Sequence, residues 1–94
     1  MFSFKLHRSG KEVVLAVCDQ EILGRTFEEG EVILNVSREF YGGGLGGPEV
    51  FSAEFTSMIV VGRKAVAEAA RRGLVRKTAE VSGVPYAFVF RVIP

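Results

Sequence analysis

Phe2, Phe4 and Leu6 alternate with Ser3, Lys5 and His7, and the turn residues Arg8-Ser9-Gly10-Lys11 separate them from a β-branched apolar run, Glu12 to Cys18. Period-two alternation on either side of a glycine turn predicts a β-hairpin. Asp19 to Gly24 offers a capping residue, an early acid and a closing glycine, which predicts one helical turn. Val32, Leu34 and Val36 alternate against Glu31, Ile33 and Asn35 and predict a third strand, with Phe27 tucked into the core ahead of Glu28-Glu29-Gly30. Beyond Pro48, which suits a first helical position, Phe51, Phe55, Met58, Ile59 and Gly62 recur at helical spacing and predict a helix. Gly62 either kinks that helix or separates it from a second, Arg63 to Arg72, whose narrow face of Ala65, Val66, Ala69 and Ala70 ends at Gly73. Leu74 to Val81 and Tyr86 to Ile93 read as two strands joined around Ser82-Gly83-Val84-Pro85, the last apolar on both faces and so interior. Strands, then helices, then strands make a single α+β domain over residues 1–94.

Composition narrows the class. Ninety-four residues, 48% hydrophobic and 24% charged, are enough for one modest core and too few for a two-domain enzyme. No stretch approaches the apolar run of a membrane span, and Met1 to Arg8 lacks the basic-then-apolar order of a secretory signal, so the expectation is an unprocessed, cytoplasmic chain. Lone Cys18 and lone His7 provide neither a disulfide framework nor a zinc set, and no cofactor is predicted. Charge is uneven: residues 1–61 carry five Lys/Arg against nine Asp/Glu, net −4, whereas residues 62–94 carry seven against two, net +5. The C-terminal third is therefore the part suited to an anionic partner.

Five glycines in six residues, Gly42-Gly43-Gly44-Leu45-Gly46-Gly47, imply a mobile connection or a close backbone approach. Gly42, Gly44 and Gly47 formally fit G-x-G-x-x-G, but Pro48 removes an amide donor and Glu49 puts a carboxylate where a phosphate would sit, which favours a flexible loop. Arg63, Lys64, Arg71, Arg72, Arg76 and Lys77 are candidates for phosphate contact, although Glu68 can pair with Lys64 and Arg72. Arg63 and Lys64 oppose the macrodipole of a helix starting at Gly62, which an anion bound there would relieve. Tyr86-Ala87-Phe88-Val89 matches the centre of an RNA-recognition sheet signature, yet its flanks depart from it, and an interior apolar strand explains the same residues. Phe40-Tyr41, beside Gly42 and Gly43, reads as a stacking platform of which one ring anchors the core. Cys18 with Asp19 and His7 reads as a buried hydrophobe, a helix cap and a solvent-facing imidazole rather than a nucleophilic set. Glu28, Glu29 and Glu31 read as a solvated turn, and a catalytic cleft would have to gather distant groups such as Asp19, Arg25, Glu39 and Tyr41.

Val17-Cys18-Asp19, Ile22-Leu23-Gly24-Arg25-Thr26-Phe27, Val36-Ser37, Phe40-Tyr41-Gly42-Gly43, Val61-Gly62 with Ala65-Val66, Gly73-Leu74-Val75 and Gly83-Val84-Pro85 occur in an order that resembles the archaeal family of domain of unknown function 424. The resemblance spans nearly the whole chain and implies an archaeal intracellular protein, with no activity attached. Tyr86 stands where the family pattern suggests histidine, and the glycine cluster is richer than its usual Phe-Tyr-Gly-Gly. The reading that results is a binding module rather than an enzyme, acting on RNA or a ribonucleoprotein through Arg63–Lys77 with the Phe40–Gly47 loop beside it. The alternatives are a protein-interaction or homo-oligomeric module joined through an apolar patch or open strand edge, and a small enzyme with an unrecognised cleft.

Overall fold

The computed structural model describes residues 1–91. Strands β1 (Phe2–Ser9) and β2 (Glu12–Asp19) form the N-terminal hairpin, and a 3-10 turn over Gln20–Ile22 leads to a second hairpin, β3 (Thr26–Glu29) with β4 (Val32–Asn35). A single helical turn, α1 (Arg38–Tyr41), precedes β5 (Gly44–Gly46), a 3-10 turn over Pro48–Ser52 and β6 (Ser57–Val61). Helix α2 (Arg63–Arg71) then leads to β7 (Ala79–Val81) and β8 (Val84–Phe90). Six strands form one mixed sheet in the order β5-β1-β2-β6-β8-β7, while β3 and β4 form a separate two-stranded sheet. The fold is α+β and mostly strand.

The sheet's centre is the parallel pair β2–β6, in register from Val14 opposite Ser57 to Cys18 opposite Val61. Everything from the 3-10 turn at Gln20 to the one at Pro48 lies inside the crossover between those two strands. Alternation divides the side chains between two faces. One face presents Phe2, Leu15, Val17, Met58, Val60 and Ala87 to α2, which returns Ala65, Val66 and Ala69, while Phe51 and Phe55 complete this core. Phe2 and Phe51 meet edge to face at 5.5 Å. The other face presents Ala16, Cys18, Val61 and Tyr86 to Ile22, Leu34, Val36 and Tyr41 from the crossover elements.

Several elements differ from what periodicity predicts. The segment after Pro48 is not a long helix: it stays helical only to Ser52, and Ser57-Met58-Ile59-Val60-Val61 is an interior strand. Apolar residues at 51, 55, 58 and 59 fit a helical stripe, but the run at 58–61 is buried between β2 and β8, where backbone pairing on both sides and β-branched packing outweigh the stripe. Gly62 accordingly separates a strand from α2 rather than two helices. The predicted strand from Leu74 shrinks to β7, because Leu74 and Val75 pack against the α2-side core without joining the ladder. The last strand runs Val84–Phe90, and the predicted extension to Val92 and Ile93 lies outside the described residues. Half of the glycine cluster is a strand rather than a flexible loop: Gly44 to Gly46 pair with Phe2 to Phe4, and a Cβ on Gly46 would lie 2.6 Å from Val50 Cγ1. Close approach is what these positions require.

Asp19 ties the halves together. Its side chain does not cap the turn that follows it. Instead Lys64 N–H donates to Oδ2 at 3.0 Å and Ala65 N–H donates to Oδ1 at 2.7 Å, so a 4% exposed carboxylate caps α2 from forty-five residues away. Two orphan amides and the positive end of the helix dipole meet one buried negative charge, which also offsets the cations Arg63 and Lys64 at that end. Gly62 makes the approach possible: its φ is +109°, and a Cβ there would lie 2.5 Å from Asp19 Cγ. Asp19→Ala is expected to lower unfolding free energy by about 2–4 kcal/mol in urea titrations, with Asp19→Asn costing about half as much because one acceptor survives. Gly62→Ala, which adds strain and a clash, should cost about 2 kcal/mol or more; a loss below 0.5 kcal/mol, on the order of a neutral surface change, would contradict the clasp.

Candidate functional site

The elements that cover the second face reach only half of it. They bury Ala16, Cys18 and Val61 but leave the row that begins at His7 and the β8 end of the row that begins at Lys5. Register aligns His7, Val14, Ser57 and Phe90 in one row and Lys5, Ala16, Ile59 and Phe88 in the next. In β8, Ala87 and Val89 turn toward α2, so Tyr86, Phe88 and Phe90 fall on the partly open face. Phe88 is 60% exposed and Phe90 78% exposed, while Tyr86 and Phe88 meet edge to face at 6.2 Å. β8 is interior in its pairing, as predicted, but its apolar residues do not all serve the core: alternate aromatics stand in solvent. At the far end of the strip Phe40 stacks on His7 at 4.5 Å, and His7 Nε2 lies 2.8 Å from Phe40 O. His7 is therefore partly covered rather than free in solvent.

Cations flank the aromatic end. Arg76 and Lys77 line a depression of about 410 Å³ together with Phe88 and Phe90. Neither cation lies within ion-pair distance of a carboxylate among the described residues. On the opposite side, Lys5 Nζ donates to Glu39 O at 2.9 Å. The edge of β8 is open here as well. Gly62 N–H donates to Pro85 O and Arg91 N–H to Thr56 O, which fixes the odd-numbered residues of β8 as those bonded to β6. Alternation then turns the N–H and C=O of Phe88 and Phe90 away from β6, and β7 reaches no further than Ala79, opposite Tyr86. Those groups have no strand partner among the described residues.

The remaining predicted positions separate. Tyr41 is 2% exposed and anchors the second core, whereas Phe40 is 37% exposed, so the pair is one anchor and one accessible ring. Gly42 and Gly43 are packed: a Cβ would lie 2.6 Å from Arg38 O in one case and 2.9 Å from Phe4 O in the other. Glu68 holds both Arg71 and Arg72, and their guanidinium groups keep its carboxyl below the usual carboxylate range. Lys64 pairs with Glu21 at 3.0 Å, and its hydrogen bond to that carboxylate raises the ammonium's pKa. Arg63 Nη2 reaches toward Gly83 O at 3.5 Å. Of the six predicted cations, then, three are ion-paired along α2, and only Arg76 and Lys77 sit beside exposed aromatics. Asp19, Arg25 and Tyr41 form no common cleft: Asp19 and Tyr41 are buried, and Arg25 lies over the Phe27 ring at 4.9 Å. Glu28 and Glu29 belong to β3 rather than to a turn, and Glu29 Oε1 accepts from Ser82 N–H at 2.7 Å.

Cys18 is fully buried, and its thiol pKa is pushed up to about 12, first by burial and then by the carboxylates of Asp19 and Glu21. A thiol of that kind is protonated throughout the neutral range and unreactive. Labelling by a thiol reagent at pH 8 should therefore proceed only as fast as the native state opens, and should accelerate in urea in step with loss of the circular dichroism signal. Rapid labelling of the native chain would show the site to be accessible.

The model of a family described as "Protein of unknown function (DUF424)" matches residues 7–92. A search of curated proteins finds none that matches. The solved structure described as "Crystal structure of an uncharacterized conserved protein from Methanopyrus kandleri" is similar, with a TM-score of 0.73 and 24% identity over 99% of this chain and 95% of that one. At that identity the likeness is one of fold.

Proposed function

We propose that this chain, which belongs to the DUF424 family, binds single-stranded RNA across the partly open face of its sheet. The observation that carries the reading is the adjacency of exposed Phe88 and Phe90 to Arg76 and Lys77. Unstacked bases are bound by aromatic faces on strands, and phosphates by cations at the rim. Ile59, Val14 and Ser57 form a half-buried floor between those rings and the His7–Phe40 stack, so the strip has a π-face at either end. Arg71 and Arg72 take no part, being held by Glu68, which moves the surface from α2 to β8. The basic C-terminal third and the family description are compatible with this function without specifying it.

A second reading has its own observation. The backbone of Phe88 and Phe90, without a strand partner among the described residues, would accept a strand from a protein partner or another copy. The two readings separate by salt and by concentration.

Fluorescence anisotropy of a labelled single-stranded RNA, titrated at two salt concentrations, tests the proposal. Phe88→Ala and Phe90→Ala are each expected to weaken binding by about 1–3 kcal/mol, the worth of a stacked base. Arg76→Gln and Lys77→Gln should each reduce the salt slope by about one. Arg71→Gln should leave affinity nearly unchanged. Absence of binding at low salt, with sedimentation showing mass that rises with concentration, would replace RNA by the strand-edge reading.

A further inference from the structure

A cleft of about 760 Å³ opens at the turn end of the β1–β2 hairpin, on the α2 side of the sheet and apart from the aromatic strip. Leu6, Val13 and Phe55 make an apolar floor, and Arg8, Lys11, Arg91 and Glu54 stand around it. Arg91 is set in place twice over. Its N–H donates to Thr56 O at 2.9 Å, and its guanidinium carbon lies 3.8 Å from the centre of the Phe55 ring. The Thr56 hydroxyl accepts from Val13 N–H at 2.9 Å and donates to Val13 O at 3.1 Å, which fixes the floor beneath it. Among the described residues none of Arg8, Lys11 and Arg91 lies within ion-pair distance of a carboxylate, in contrast to Lys64, Arg71 and Arg72.

With Glu54 counted, the four charged side chains around this cleft sum to +2. A monocarboxylate would offset half of that charge. A phosphomonoester carries about −1.5 to −2 at pH 7 and offers three acceptor oxygens to guanidinium donors, so it offsets nearly all of it. Glu54, an acceptor only, suits a hydroxyl or amino donor on the same ligand, and the apolar floor suits a flat, weakly polar body. We infer that this cleft binds a nucleotide through its terminal phosphomonoester. Such a group occurs on a free mononucleotide and on a phosphorylated RNA end, and the cleft would recognise it in either. The inference does not depend on the aromatic strip.

Adenosine 5′-monophosphate, adenosine and inorganic phosphate titrated separately into the isotope-labelled full chain, with amide shifts followed by NMR, provide the test. The monophosphate is expected to shift the amides of Leu6, Arg8, Val13, Thr56 and Arg91 and to bind about tenfold or more tighter than either fragment. Arg8→Gln and Arg91→Gln, both at exposed positions, should each weaken it several-fold with the rest of the spectrum preserved. Phe88→Ala should not, which separates this site from the strip. A 5′-phosphorylated trinucleotide that outbinds both its 5′-hydroxyl form and the monophosphate would identify an RNA end as the natural source; affinity no better than the monophosphate's would identify the free nucleotide. Equal affinity for monophosphate and adenosine, shifts that fall outside the cleft, or binding indifferent to both arginine substitutions would overturn the inference.

Discussion

One carboxylate organises the molecule. Asp19 ends β2, Gly62 follows β6, and α2 begins where they meet, so the central strand pair and the only long helix among the described residues are joined at one buried charge. Removing water from a carboxylate is costly unless donors replace it, and the first amides of α2 supply them in a direction the helix dipole favours. The two cations that follow Gly62 look misplaced in the sequence and are reasonable in the structure, because the anion they require is part of the chain. Lys64 then pairs outward with Glu21, two residues beyond Asp19, so the same corner is fastened again at the surface.

With that corner fixed, the alternation of β8 determines what the surface can do. Ala87 and Val89 pack toward α2, and every bulky aromatic of the strand is left for the other side. The β3–β4 hairpin and α1 are too small to cover a face four strands wide at that end. The result is a sheet whose core is completed on one side and half completed on the other, with rings left exposed where a covering helix would otherwise lie. Charge follows the same division: Lys64, Arg71 and Arg72 along α2 are ion-paired, whereas among the described residues the cations beside β8 and at the mouth of the hairpin are not.

Much of this was readable in the chain. Strict alternation in Phe2–Leu6, the β-branched run ending at Cys18 and the small-residue face of α2 each have one local solution, and each formed as expected. The segment from Phe51 to Val61 has two. Its apolar spacing suits a helix and its residue types suit a strand, and only partners forty residues earlier and thirty later decide between them. Of the candidate site, the letters single out Arg76 and Lys77 but not Phe88 and Phe90. Tyr86-Ala87-Phe88-Val89 reads as an interior apolar strand, because which parity faces solvent depends on where α2 packs. Spacing alone matches Arg72 to Glu68, but Lys64, matched to the same carboxylate, turns to Glu21 instead, and Arg71 takes its place. The cleft holding Arg8, Lys11 and Arg91 joins residues more than eighty positions apart, and no local pattern records it.

The short reach of β7 has a consequence for how copies of this chain behave together. Where it stops, β8 displays hydrogen-bonding groups and two phenylalanines, a surface on which another strand could template itself. Arg76 and Lys77 stand beside that edge, so two copies approaching edge to edge bring like charges together before their backbones can pair. The repulsion is weak at any distance and acts only across about one screening length, roughly 8–10 Å in physiological salt. Resistance to edge-to-edge pairing at this strand is thereby placed in the charge of two side chains rather than in the shape of the fold, and concentrated salt, by screening those charges, withdraws that protection.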